Sequence, residues 1–288
     1  MEFGEPVAPG VRTVYEGELV HEERTAFQHL AIYSNAHYGR VLVLDGLVQT
    51  TEADEFCYHE MLVHPALASR APVERVLVVG GGDGGSLRRV LEHSPAEAVL
   101  CEIDEAVVRA CREHLPAVSA GAFDDPRARV VFADGAAFVA EQEGGFDAII
   151  VDGSDPIGPA EVLFSEGFYG ACRRALRPGG VLVAQTSSPL VQREEFRQAR
   201  AAMSCAFPVV ETYLSFVPSY PGVVWSYTAA TDGAPVSAAT AAEVRARLEE
   251  RQISPRLYTP ELQAAAFALP AFVQDLCASA VPAPLPRG

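Results

Sequence analysis

The sequence lacks the features that mark zinc-binding, disulfide-linked and membrane proteins. Its cysteines form no C-x-x-C pair and no Cys/His cluster with zinc-ligand spacing. No apolar run approaches the ~20 residues of a membrane span, and the N-terminus MEFGEPVAPG has neither the basic nor the apolar segment of a signal peptide. We therefore expect no membrane partner, a cytoplasmic protein, and reduced thiols in the core at Cys57, Cys101, Cys111, Cys172, Cys205 and Cys277.

Positive charge is also scarce. Lysine and arginine together number 22 against 38 aspartates and glutamates, so the formal net charge is −16. This charge argues against nucleic acid or an anionic membrane surface as the main partner, and it suits a cationic ligand. Apolar residues make up 49% of the 288 residues, which is enough for a globular core.

The order of apolar segments predicts two regions. Residues 1–55 show strand patterns separated by turn signals, typical of a small antiparallel β-domain. In residues 56–288, short and almost wholly apolar strands alternate with helical segments, which indicates a parallel sheet covered on both faces. We predict an α/β fold with a mainly parallel, Rossmann-like sheet of the methyltransferase type, helices on both of its faces, and the β-domain at its N-terminus.

Local signals refine this prediction. Asp104 and Ser165 are placed to cap helices, and the sequence Pro178-Gly179-Gly180 is expected to end the second of them. The late apolar runs PVVETYLSFV and GVVWSYTAAT predict a terminal hairpin on the sheet, and residues 237–250 and 260–278 are expected to be helical.

A glycine-rich loop follows the first strand of the larger region. Gly80, Gly82 and Gly85 form G-x-G-x-x-G between a strand and a helix, and Glu102 ends the next strand, where a carboxylate meets ribose hydroxyls in dinucleotide sheets. The pattern favours a nucleoside site. The alternative is a turn that only allows the strand and helix to pack closely.

Asp83, inside this loop, bears on the choice of nucleoside. A pyrophosphate there would face a carboxylate in a poorly solvated site, which disfavours NAD and FAD. An adenosyl-sulfonium compound has no phosphate. Asp83 would repel the α-carboxylate of S-adenosylmethionine, whereas the decarboxylated compound offers it only an ammonium group.

Further acids follow later strands. Asp134-Gly135 can bind the adenine amine, cap the following helix, or do both. Asp152 and Asp155 lie three residues apart at the edge of the sheet where ligands of this architecture bind, and the alternative is a turn with solvated aspartates. Carboxylates here can hold an amine and accept its proton. A sulfonium leaves as a neutral thioether, so this chemistry requires no general acid, no metal and no covalent nucleophile.

Several segments resemble the polyamine aminopropyltransferases, the spermidine synthase family. They are LDGLVQTTEADEFCYHEML, VLVVGGGDGGSLRRVLEH, CEIDEAVV, VDGSDPIGPAEVLF and QAAAFALPAF, and the resemblance extends from about Val14 to Cys277. It implies transfer of the aminopropyl group of decarboxylated S-adenosylmethionine, a co-substrate, to putrescine. It also implies no bound cofactor, and assembly as a homodimer or homotetramer.

The resemblance assigns roles to matching residues. Asp152 would accept the proton, Asp155 would help hold the diamine, and Asp83 would bind an ammonium. The remaining amine-side residues would be His59, Tyr58, Gln49 and Tyr220. The donor-side residues would be Gln28, Gly80, Gly82, Glu102, Asp134, Gly135 and Pro159.

Departures from the family pattern leave alternatives open. Gly153-Ser154 separate the acid pair, Ala133 precedes Asp134, and Thr186-Ser187-Ser188 follow a strand. The acceptor is putrescine by default, with cadaverine, a propylamine-extended diamine or agmatine as alternatives, because one methylene is worth only ~1–3 kcal/mol. The other candidates are a methyltransferase that uses S-adenosylmethionine and a binding protein without turnover.

Overall fold

The first 51 residues form two small antiparallel sheets. A computed structural model describes residues 1–154 and 162–280. Strands β1 and β2 form a hairpin that packs on a separate four-stranded sheet, β3 to β6, in which each strand pairs with its neighbours in sequence. The strands are β1 Glu2–Ala8, β2 Val11–Glu16, β3 Glu18–Arg24, β4 His29–Asn35, β5 Gly39–Leu44 and β6 Leu47–Thr51.

The larger region contains a seven-stranded sheet in the order β12-β13-β11-β10-β7-β8-β9. Strands β7 to β11 run parallel, whereas β13 is antiparallel to both β11 and β12. The predicted parallel sheet and terminal hairpin are therefore confirmed. The strands are β7 Arg75–Gly80, β8 Glu97–Glu102, β9 Ala128–Phe132, β10 Phe146–Asp152, β11 Leu176–Gln185, β12 Val209–Phe216 and β13 Val224–Thr231.

Helices cover both faces of this sheet. In β7, Val76 and Val78 belong to one apolar cluster and Leu77 and Val79 to another, because successive side chains of a strand point to opposite faces. The helices are α1 Glu55–Ala68, α2 Gly85–Glu92, α3 Glu105–His114, α4 Pro116–Ser119, α5 Gly135–Ala140, α6 Glu166–Ala175, α7 Arg193–Ala206, α8 Ala241–Glu250, α9 Pro260–Ala266 and α10 Ala271–Ser279.

The predicted N-caps are confirmed, but some helix ends are not. The side chains of Asp104 and Ser165 accept hydrogen bonds from the first turns of α3 and α6. However, α6 ends before Pro178 because Leu176 already pairs with Phe146 as the first residue of β11.

The C-terminal helical prediction was too continuous. The stretch 260–278 is broken between α9 and α10, because Pro270 disfavours helical conformation in the residue before it. The helix predicted over 237–250 begins only at Ala241. Thr240 is its N-cap and forms a capping box with Glu243.

Two other features concern the cysteines and the membrane test. Five of the six cysteines are buried as predicted, whereas Cys205 is exposed and its thiol contacts Glu166. Within the described ranges, no single helix has the length and hydropathy to cross a membrane. The bent pair α9 and α10 meets that test only jointly, by length and composition.

Candidate active site

A cavity of about 590 Å³ opens at the carboxyl ends of β7, β8 and β10. This is the edge where open α/β sheets bind ligands. One wall comes from the N-terminal sheets and includes Glu5 and Gln49, and another comes from the turn that carries Tyr220. Of the predicted site residues that the structure describes, those lining the cavity are Gln28, Gln49, Tyr58, Gly80, Gly82, Asp83, Glu102, Asp134, Gly135, Asp152 and Tyr220.

The glycine loop lies too close to its neighbours for side chains. Gly80 has φ +80°, and a Cβ there would lie 2.3 Å from the carbonyl oxygen of Asp152. A Cβ on Gly82 would lie 3.0 Å from Oε2 of Glu102. The missing side chains therefore allow the loop to lie against β8 and β10, so that three carboxylates share one cavity.

Glu102 is the central acid at the end of β8. It is only 7% exposed, and its Oε1 accepts the backbone N–H of Asp104 at 2.9 Å. Burial raises the pKa of Glu102 to about 7, and the Asp104 carboxylate adds to the rise. Nearby, Nε2 of Gln28 donates to Asp104 at 3.0 Å, which fixes Gln28 at the rim of the cavity.

Asp134 caps α5, as predicted. Its Oδ1 accepts the backbone N–H of Ala137 at 2.9 Å. Gly135 is required beside it, because a Cβ would lie 2.5 Å from Cγ1 of Val79. Asp134 can cap α5 and also contact adenine. Its side chain is exposed and lines the cavity, and the cap uses only Oδ1.

Asp83 and Asp152 meet at the centre of the cavity. Oδ1 of Asp83 accepts the backbone N–H of Gly85 at 2.7 Å, and Oδ1 of Asp152 accepts the hydroxyl of Tyr58 at 2.7 Å. Oδ2 of Asp152 is buried, and the side chain of Ser86 lies close enough to this carboxylate to lower its pKa.

His59 lies behind Asp83 rather than on the cavity wall. Its ring is 1% exposed and packs against Gly85, where a Cβ would lie 2.2 Å from the ring. Nδ1 contacts Glu55 at 2.9 Å and Nε2 contacts Asp83 at 3.4 Å. The resemblance predicts a direct contact between His59 and an amine. In the structure, Asp83 lies between the His59 ring and the cavity.

Opposite charges stabilise each other in this cluster. Burial lowers the pKa of His59, but Asp83 and Glu55 outweigh it and raise the pKa to about 10, so the imidazole is protonated. Burial raises the pKa of Asp83, and His59 more than offsets this, so the pKa is lowered. Burial raises the pKa of Asp152, and His59 offsets this only in part.

The same three side chains bear on metal binding. His59, Asp83 and Asp152 place potential ligand atoms within 4.8 Å of one another. The imidazole would have to release a proton before it could bind a metal ion. With that proton bound, the ring lies between the carboxylates of Glu55 and Asp83.

The other end of the cavity is aromatic. The ring of Tyr58 lies 5.5 Å from that of Tyr220, which in turn lies 4.8 Å from that of Trp225. The hydroxyl of Tyr220 donates to the backbone carbonyl of Gln49. Aromatic faces of this kind attract cations and cover methylene chains.

Three distant segments are joined to build this end. Asp54 accepts hydrogen bonds from Thr51 and from the backbone and side chain of Ser219, next to Tyr220. The hydroxyl of Tyr15 donates to the carbonyl of Ser219. These bonds hold the turn after β12 against α1 and the N-terminal hairpin.

Sequence reasoning missed several residues of this cavity. Glu5 is 1% exposed, lines the cavity and accepts the backbone N–H of Val48 at 2.8 Å. Gln185 and Trp225 also line it, and Gln185 donates to the carbonyl of Gly153. The strand that contains Glu5 is otherwise partly or fully exposed, so its sequence offers no signal for a buried acid. Asp155 and Pro159 lie outside the described residues.

The charge of the cavity is one-sided. Among its described lining residues, none carries a basic side chain, and the chain contains no lysine. Six carry carboxylates: Glu5, Asp45, Asp83, Glu102, Asp134 and Asp152. Fold and site together define an α/β protein of the methyltransferase-like type with an acidic, partly aromatic cavity at the carboxyl edge of its sheet.

Comparison with known proteins places the chain more narrowly. Residues 55–239 match the spermine/spermidine synthase domain, and residues 5–52 match the spermidine synthase tetramerisation domain. Polyamine aminopropyltransferase 1 of Pseudomonas aeruginosa is 45% identical over 270 residues, which cover 91% of this chain and 94% of that protein.

Solved structures agree with this placement. A spermidine synthase in complex with the transition-state analogue AdoDATO superposes with a TM-score of 0.91 at 36% identity, covering 97% of this chain and 95% of that chain. The spermidine synthase of Thermotoga maritima superposes with a TM-score of 0.89 at 36% identity, covering 96% and 94%. The chain belongs to the spermine/spermidine synthase family and is an aminopropyltransferase.

Proposed function

We propose that this enzyme transfers the aminopropyl group of decarboxylated S-adenosylmethionine to putrescine, giving spermidine and 5′-methylthioadenosine. The observation that carries this proposal is the set of six carboxylates, without a basic side chain, among the described residues of the cavity. Both substrates are cationic and neither carries a carboxylate. The donor's nucleoside would lie against Glu102 and Asp134, with its propylammonium at Asp83.

The reaction would use Asp152 as the base. The amine of the acceptor is protonated in water, with a pKa near the ~10.4 of lysine, and it must lose a proton before it attacks. The Tyr58 hydroxyl orients the Asp152 carboxylate through its bond to Oδ1, and this carboxylate lines the cavity. The nitrogen then forms a bond to the propyl carbon, the carbon–sulfur bond breaks, and its electron pair leaves with the neutral thioether.

The acceptor's second ammonium would occupy the aromatic end. Tyr220 and Trp225 offer ring faces there, and Glu5 offers a buried carboxylate. A diamine would thus be held at both ends, which puts its reacting nitrogen in line with the donor. Asp155 and Pro159 remain predicted contacts of the diamine and the nucleoside.

A methyltransferase that uses intact S-adenosylmethionine is the main alternative. Its donor carries an α-carboxylate, which would need a cationic partner. The described lining of the cavity offers acids in that position instead. The acidic lining therefore supports the decarboxylated donor.

A product assay tests the proposal. The protein is incubated with decarboxylated S-adenosylmethionine, a chelator, and putrescine, cadaverine, agmatine or spermidine in separate reactions, and methylthioadenosine and the extended amine are measured. Spermidine from putrescine is the expected result. Extension of another amine would change the acceptor, and absence of methylthioadenosine with every amine would overturn the proposal.

Substitution of the base tests the mechanism. We expect Asp152→Asn to lower kcat by about 100-fold or more, the usual contribution of a general base. Asp124→Asn is the matched control, because the Asp124 side chain is 74% exposed and pairs with Arg112 on the surface. Undiminished turnover of Asp152→Asn would remove Asp152 from this role.

Assembly and location extend the proposal. We propose a homotetramer, supported by the match of residues 5–52 to a tetramerisation domain and by the exposed Val11 and Val14 on β2. We also propose a cytoplasmic location, supported by six free cysteines. Fractionation of the producing cells would test the location.

A further inference from the structure

A group of buried charged side chains lies between α1 and α2, outside the cavity. Arg89 on α2 is 4% exposed, and Glu55 and Glu60 on α1 are 6% and 0% exposed. None of the three lines the cavity. Charges so deeply buried are retained only when each is paired, so their contacts are informative.

The contacts run from Arg89 to the reaction centre. NH2 of Arg89 donates to Oε1 of Glu55 at 3.1 Å, and Oε2 of Glu55 contacts Nδ1 of His59 at 2.9 Å. Nε2 of His59 then lies 3.4 Å from Asp83 on the cavity wall. Along this line the charges alternate: cation, anion, cation, anion.

Glu55 is therefore the middle of a bridge between two helices. Arg89 is the nearest cation to its Oε1, at 3.1 Å, and His59 is the nearest to its Oε2, at 2.9 Å. Burial raises the pKa of Glu55, but these partners outweigh it and lower the pKa. Without Arg89, the carboxylate would be left with a single close partner in a dry site.

Other charged groups surround this line, and their contacts show which of them could replace Arg89 as the partner of Glu55. Arg88 is 3.8 Å from Glu55 and its side chain is 31% exposed, so it is a poor substitute for Arg89. Glu60 is engaged by the backbone N–H groups of residues 256–258. The remaining groups that face the line are Glu92 and the buried His64 beside Arg89, and Asp152 beyond His59.

We propose that Arg89 is a positioning residue: through Glu55 it holds the His59 imidazole against Asp83, and so fixes the arrangement and charge of the acid pair that receives the amines. Only the kinetic test of this role depends on the proposed function. It adds to that function a residue that contacts neither substrate.

The first variant is Arg89→Met, which removes the charge and keeps much of the side-chain volume. The loss of Arg89 leaves less positive charge near the acids and holds His59 less firmly beside them, and His59 is the cation that lowers the pKa of Asp152. We therefore expect the acid limb of the kcat/KM profile to move up by roughly one pH unit. At pH values on the acid limb, kcat/KM should be about tenfold lower than in the wild type. At higher pH it should return to the wild-type value.

Two comparisons separate positioning from packing. Arg89→Lys should restore most of the wild-type profile, because it returns a cation beside Glu55. Arg112→Met makes the same chemical change at an arginine that pairs with Asp124 on the surface and should leave the profile unchanged. A loss of activity that is equal at every pH, without a shift of the limb, would overturn the proposal.

Histidine NMR tests the same point without turnover. The His59 signal, assigned by its loss in His59→Gln, should remain that of a protonated ring beyond pH 8 in the wild type. Its ring N–H protons should exchange with solvent faster in Arg89→Met, because Glu55 has then lost its buried arginine partner and holds the ring less firmly. Should Arg89→Met fail to fold, the double variant Arg89→Met with Glu55→Gln removes both buried charges and should show the same faster exchange. Unchanged exchange of the His59 ring protons in these folded variants would refute the role of Arg89, whatever the transferase assay gives.

Discussion

Glu102 predicts a pH dependence of nucleoside binding that can be measured without turnover. Its pKa is raised to about 7, mainly by burial. If the ionised carboxylate is the form that accepts the ribose hydroxyls, the apparent Kd is multiplied by one plus the ratio of protonated to ionised Glu102. With that pKa, the multiplier is about 11 at pH 6 and about 1.1 at pH 8, so affinity should rise about tenfold.

Isothermal titration calorimetry with 5′-methylthioadenosine is the assay. This ligand is uncharged, so the titration of the amine-binding acids has little direct effect on its binding. Glu102→Gln should bind more weakly and with the same affinity at both pH values. A wild-type affinity that does not change between pH 6 and pH 8 would refute the assigned role, and so would a Glu102→Gln variant that keeps the tenfold change.

Two further predictions concern stability and assembly. Burial lowers the pKa of His64 from 6.5 to about 3. As the pH falls below 6.5, the unfolded chain therefore binds a proton at this residue before the folded chain does. The free energy of unfolding should fall by up to about 1.4 kcal/mol per pH unit in this range. Urea unfolding at pH 6.5 and pH 5 measures this loss, which should shrink in His64→Gln; equal losses in the two proteins would contradict it. Light scattering should give a native mass about four times the 30.8-kDa chain, and the mass of a single chain would exclude the proposed assembly.

The sheet and its acidic edge could be predicted from sequence because their causes are local. Strand β7 is apolar at successive positions because both of its faces are buried. Asp83, Glu102 and Asp152 each follow or end such a strand, and the parallel arrangement brings these ends to one edge. The roles of these acids remain predictions, whereas their common location is observed.

The aromatic end could not be predicted in the same way. Its residues come from α1, from β13 and from the turn after β12, with β1 and β6 beside them, and they meet through long-range bonds such as Tyr15 to Ser219. No pattern along the chain indicates which segment will cover the sheet edge. Glu5 was missed for this reason, although it is among the most buried acids of the protein.

His59 shows how a resemblance can name a residue and leave its action open. The motif placed it near the amine, and the structure places it one contact further away, at 3.4 Å from Asp83. An imidazolium behind the acid pair supplies positive charge without occupying the cavity. His59 therefore keeps Asp83 ionised, and the described lining of the cavity contributes no cation that would repel an ammonium group.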